Sequence, residues 1–103
     1  MINDSLQADL RRVIASMLRS FRRTSRISQR DLATRLTRTQ ALVSKVEAGK
    51  ISLDVVELRR WLAALDVTFL DFIEQLDGKL EAGVGSPESD QREAGRSDEF
   101  GNQ

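Results

Sequence analysis

The chain has 103 residues, 16 basic and 16 acidic side chains, and no net charge. Its length suits one domain, and an apolar fraction of 40% suits a small core that oligomerisation would help to stabilise. The sequence contains no cysteine and no histidine, which excludes disulfides, thiolate or imidazole metal sites, a His-based catalytic triad and a Cys nucleophile.

The zero net charge conceals an asymmetry. Residues 1–50 carry 11 Lys/Arg against Asp4, Asp9, Asp31 and Glu47, a net +7, and residues 51–103 carry the opposite balance. Such a division between halves fits a polyanionic partner for the basic half and, equally on charge alone, basic side chains that simply solvate helix faces. No apolar run approaches the ~20 residues of a membrane span, and the polar segment Met1 to Asp9 does not read as a signal peptide. A cytoplasmic protein without membrane contact is expected, in keeping with the absence of cysteine.

Leu6, Leu10, Val13, Ile14, Met17, Leu18 and Phe21 form one stripe at helical spacing, which predicts a first helix over roughly Ser5 to Thr24. Ser28 with Asp31 is a capping pair for a second helix, buried through Leu32, Ala33 and Leu36. Thr39 caps a short third helix with Val43 and Val46 inside, and Gly49 is suited to end it. The fourth helix begins near Ser52 or Asp54, with Glu57 at capping-box spacing from Asp54 and Leu58, Trp61, Leu62 and Leu65 on its inner face. Trp61 on that apolar face reads as core, and Glu57 three residues before Arg60 makes the Arg59–Arg60 pair part of a solvated face. The fifth begins at Thr68, boxed by Asp71, with Phe69, Phe72, Ile73 and Leu76 on one side and Leu80 at the edge. From residue 83 onward Gly83, Gly85, Ser86 and Pro87 break the pattern, and only Val84 and Phe100 are large and apolar. Residues 83–103 are therefore expected to be a disordered, mildly acidic tail after a domain spanning 1–82.

Two short helices over about 28–36 and 40–48, joined by three residues, predict a helix-turn-helix. Ala33 is small where the helices cross, and Leu32, Leu36, Val43 and Val46 interlock beneath them. Gln40, Ala41, Ser44 and Lys45 are left on the outer face of the second helix of the pair, a face able to enter a major groove and meet base edges.

Ser28-Gln29-Arg30-Asp31-Leu32-Ala33, Leu36, Thr39-Gln40, Val43-Ser44-Lys45-Val46-Glu47 and Gly49-Lys50 together resemble the phage-repressor and Cro-like helix-turn-helix family, also called the XRE family. Leu53 to Leu58 and Ala64 to Val67 resemble the family's following helix and loop, and the likeness runs from about Arg22 to Leu76. It implies an all-α, five-helix, lambda-repressor-like bundle that binds double-stranded DNA; no cofactor and no enzymatic activity are expected, because no acidic pair comes with a base or a metal-ligand pattern. By the same resemblance, Gln29 contacts a backbone phosphate and braces the recognition helix, and Gln40 reads a base, typically adenine. Ala41 and Lys45 occupy the next base-facing positions, Leu42 either touches DNA or folds back on the second helix, and Glu47 pairs with Arg22 in a structural salt bridge.

Two departures stand out. Thr37 occupies a turn position where the family usually has glycine, so either the turn differs or a β-branched residue bears left-handed strain. Ile51 to Leu58 contains no basic residue, so phosphate contacts fall to Arg38, Lys50, Gln29 and the helix N-termini at Ser28 and Thr39. The long first helix and the fifth leave a wide apolar surface at Leu6, Leu10, Phe69, Phe72, Ile73 and Leu76, expected to close within the subunit or across a homodimer. The function expected is that of a sequence-specific transcriptional regulator, a repressor acting as a homodimer on a palindromic operator. The competing reading is a protein-interaction module, such as an antitoxin that binds a partner protein and autoregulates its operon.

Overall fold

The computed structural model describes the backbone of residues 4–83 and the side chains of residues 8–82. Five helices follow one another, α1 (Asp4–Thr24), α2 (Gln29–Leu36), α3 (Gln40–Glu47), α4 (Val55–Ala64) and α5 (Phe69–Gly83), with no strand among the described residues. The expected tail therefore lies outside the described residues, apart from Gly83, which is still helical.

The starts of α2 to α5 are set by the caps read from the sequence. The side chains of Ser28, Thr39, Asp54 and Thr68 accept from the backbone N–H of Asp31, Leu42, Glu57 and Asp71 at 3.0, 3.1, 2.7 and 3.1 Å. Each satisfies a donor that the helix itself cannot, at a gain of typically ~1 kcal/mol.

The ends of α1 to α4 share one device, which the sequence signalled only at Gly49 and Thr37. Arg26, Thr37, Gly49 and Asp66 all adopt positive φ, between 57° and 77°. In each case this residue's N–H returns to the carbonyl three back, and the next residue's N–H to the carbonyl five back, as in Arg38 N to Ala33 O at 2.9 Å and Val67 N to Leu62 O at 2.9 Å. This is the Schellman arrangement, which uses up carbonyls orphaned at a helix end. In three of the four connections a single residue, Ile27, Arg38 or Val67, then separates the left-handed position from the next N-cap. The turn between α2 and α3 is thus one instance of a connection used three times.

Only one of the four left-handed positions is glycine. Aspartate tolerates the conformation, whereas Thr37, β-branched at φ 57° and ψ 45°, is strained. The turn does not differ from the usual one, and the threonine carries the cost. Thr37→Gly should remove ~1–2 kcal/mol of strain and lose ~0.5–1 kcal/mol to glycine's greater unfolded-state freedom. A net effect between about zero and ~1.5 kcal/mol of stabilisation is expected, read as a urea midpoint that holds or rises, and a lower midpoint would contradict it.

The core is assembled from all five helices. Leu18, Leu32, Leu36, Val43, Trp61, Leu62 and Phe72 are fully buried, with Met17, Ile27, Ala33, Val46, Leu58 and Leu65 around them. Trp61 is core, as its position implied, although its indole N–H meets no acceptor among the described residues. Phe72 corrects one expectation. Placed by its spacing on a possible intersubunit patch, it is 0% exposed and faces Phe21 of α1, ring centroids 6.2 Å apart. Phe69 and Leu76 also pack partly against the core. The α1 and α5 surfaces therefore meet within the subunit, because α5 folds back along α1. The side chain of Leu6 lies outside the described residues, and Leu10 is half-buried.

Candidate nucleic-acid interface

The orientation of α3 is set from beneath. Val43 and Val46 face the core, and Glu47, in the last turn, turns inward with them. Its carboxylate receives Arg22 of α1 through two bonds, Nε to Oε2 at 2.7 Å and Nη2 to Oε1 at 3.0 Å. Arg22 also donates from Nη1 to the carbonyl of Ile27 at 2.8 Å, so its guanidinium holds α3 and the turn before α2 together. Gln29, the first residue of α2, donates from Nε2 to Glu47 Oε1 at 3.1 Å. Both charged side chains are largely withdrawn from water, at 10% and 2% exposed, and each finds its charge matched. The Arg22–Glu47 pair is present as the resemblance implied. The bracing assigned to Gln29 is seen as a bond to the same carboxylate.

With its inner side held in this way, α3 presents Gln40, Ala41, Ser44 and Lys45 to solvent, all four exposed. Leu42 is half-buried and packs against the core, the second of the two positions open to it. Ser28 and Thr39, the caps of the two helices, are exposed, as are Arg38 and Lys50, which bracket α3 in the chain. Gln29 is half-buried. The geometry therefore groups the four α3 residues on one open face and puts a cation near each end.

Arg38 is not a free cation, however. Its Nη2 donates to Glu57 Oε1 of α4 at 3.1 Å. Two more arginines tie α2 to α4, Arg60 Nη2 to the carbonyl of Leu36 at 2.9 Å and Arg35 Nη1 to the carbonyl of Ala64 at 3.1 Å. The sequence offered only the Glu57–Arg60 spacing, seen as a pair with Arg60 Nη1 3.3 Å from Oε1. The link from Arg38 to Glu57 spans 19 residues, and no local pattern announces it.

A family model described as "Helix-turn-helix domain" matches residues 14–71, more than half of the chain. The protein belongs to the helix-turn-helix domain family. The matched segment takes in the second half of α1, all of α2 to α4 and the start of α5, so the bracing pair and the exposed face of α3 both lie inside the domain. Two solved structures of the clp gene regulator ClgR from Corynebacterium glutamicum share the fold. One is 26% identical with a TM-score of 0.62, over 67% of this chain and 88% of that chain. The other is 23% identical with a TM-score of 0.65, over 89% of this chain and 93% of that chain. No curated protein matches the sequence. In helix-turn-helix domains that bind DNA, the second helix of the pair lies in the major groove, and here that helix is α3. Among the described residues, no helix is long and apolar enough to cross a membrane.

Proposed function

We propose that the protein is a sequence-specific DNA-binding transcriptional regulator, a repressor that acts as a homodimer on a palindromic operator. The observation that carries this reading is the two-sided character of α3. Its inner side is locked to α1 and α2 through Glu47, and its outer side is an open row of Gln40, Ala41, Ser44 and Lys45. Gln40 has the bidentate donor and acceptor pair suited to adenine N6 and N7, Ala41 offers an apolar contact to a thymine methyl, and Lys45 reaches a guanine or a phosphate. Lys50, Arg38, Gln29 and the capped N-termini of α2 and α3 supply phosphate contacts that fix the register. The likeness to a regulator of clp genes agrees with this class of function.

Support for the homodimer comes from α5. Leu70 and Ile73 are 67% and 37% exposed, large apolar groups that the subunit leaves uncovered. With Phe72 assigned to the core, these two residues and the half-buried Phe69 and Leu76 of the same helix offer a surface for a second copy; Val55 and Val56 of α4 are exposed as well. A two-fold dimer would set two α3 helices about 34 Å apart, one turn of B-DNA. Selection of bound fragments from random duplex DNA tests the whole reading. A palindromic consensus with half-sites about one helical turn apart is expected. Recovery of no consensus would end the claim of sequence-specific binding, and a single unrepeated half-site would end the dimer.

A further inference from the structure

Glu57 lies in the first turn of α4, and its carboxylate serves two arginines at once. Oε1 accepts from Arg38 Nη2 at 3.1 Å and from Arg60 Nη1 at 3.3 Å. The carboxylate side chain is only 18% exposed, whereas the Arg38 and Arg60 side chains are 39% and 41% exposed. The two arginines are not equivalent. Arg60 is anchored a second time, by the 2.9 Å bond to the carbonyl of Leu36. Among the described residues, the only other bond of the Arg38 side chain is a long one, 3.3 Å from Nη1 to the carbonyl of its neighbour Thr37. Arg38 is therefore the partner that can leave. It is also the partner next to the DNA-facing helix, two residues before Gln40 and so within about 7 Å of it along the chain.

We propose that Glu57 is a specificity-determining residue that holds Arg38 in place of a DNA phosphate and gives it up only when α3 is seated in its target sequence. This inference rests on the DNA-binding reading above. A free cation beside the recognition helix strengthens binding to every duplex, because phosphate neutralisation with counterion release carries no sequence information. A cation already matched by a carboxylate contributes little to a loose encounter. In the seated complex, base contacts along α3 hold one phosphate within reach of Arg38. A bidentate guanidinium–phosphate contact then replaces the single bond to Oε1. The exchange leaves no orphaned charge, since Arg60 stays on Glu57 throughout, and a half-buried carboxylate stripped of all partners would oppose it. The shared carboxylate thus lowers affinity for unrelated DNA more than affinity for the target.

The test measures binding of the full chain to its selected duplex and to a scrambled duplex of equal length, across a salt series. Glu57→Gln keeps the size of the side chain and removes its charge. It should tighten binding to the scrambled duplex and steepen the slope of log K against log salt there by about 0.9, so that about threefold more affinity is lost for each fourfold rise in salt. The gain on the selected duplex should be smaller, and both gains should vanish when Arg38→Ala is added. Arg38→Ala alone should weaken the selected duplex and leave the scrambled one unchanged. The proposal is overturned if Glu57→Gln leaves the scrambled duplex unaffected, or if it weakens both duplexes alike, as loss of a merely positioning residue would. If a thermal melt shows Glu57→Gln unfolded at the assay temperature, Arg38→Ala decides the matter, and equal losses on both duplexes overturn it. A wild-type chain that prefers no duplex ends the DNA-binding reading as well, whereas a selective wild type with an unaltered Glu57→Gln ends this inference alone.

Discussion

Glu47→Ala should destabilise the protein by about 3–5 kcal/mol, a large share of the ~5–15 kcal/mol that holds a typical domain folded. The reason lies in what the substitution leaves behind rather than in the bonds it removes. Arg22 is 8% exposed and directs two of its donors at Glu47, so without the carboxylate a cation remains buried with only the carbonyl of Ile27 as partner. Denaturant unfolding followed by circular dichroism measures the loss directly. The paired replacement Arg22→Met with Glu47→Leu is the informative control, because exchanging a whole buried ion pair for apolar groups is often neutral or better. It should recover most of the stability. It should not recover full DNA affinity, because Gln29 then has no carboxylate to brace against. A loss under about 1 kcal/mol for Glu47→Ala would mean that Arg22 escapes to solvent and that the network does not hold α3.

Gln40→Ala should cost about 1–3 kcal/mol on the selected duplex, five- to 150-fold in affinity, and little on a scrambled one. Gln40 opens α3 and is exposed, and in the proposed docking it stands where the helix first meets a groove. Lys50→Ala supplies the contrast. As an exposed cation beyond the other end of α3, it should contribute to all duplexes alike, and its removal should flatten the salt dependence by about 0.9 in slope. Fluorescence anisotropy titrations on both duplexes separate the two behaviours. If Gln40→Ala leaves the ratio of selected to scrambled affinity intact, the outer face of α3 does not read bases and the docking orientation is wrong.

The features legible in advance were those built from neighbouring residues. Ser28, Thr39, Asp54 and Thr68 each cap the N–H three residues on, so helix starts were predictable to within a residue or so. The helix ends were less so. Arg26 carries no turn signature and Asp66 only a weak one, yet both take the left-handed position and close a Schellman turn like that at Gly49. Thr37 was singled out as a misfit to glycine, but whether the turn or the residue would yield depended on packing on either side of it. The candidate face was legible for the same reason as the caps. Once α3 has Val43 and Val46 inside, helical geometry alone puts Gln40, Ala41, Ser44 and Lys45 outside.

The sequence by itself determined that the protein is a set of short amphipathic helices containing a helix-turn-helix, since period and capping act over three or four residues and are written consecutively in the chain. Only the tertiary structure decided which apolar side chains are spent inside the subunit, as with Phe72 against Phe21, and which arginines already have acids, as with Arg38 and Glu57. Those outcomes depend on helices distant in sequence being brought within a few ångströms. Burial and charge pairing are properties of that proximity, and neither residue of such a pair carries any mark of its partner.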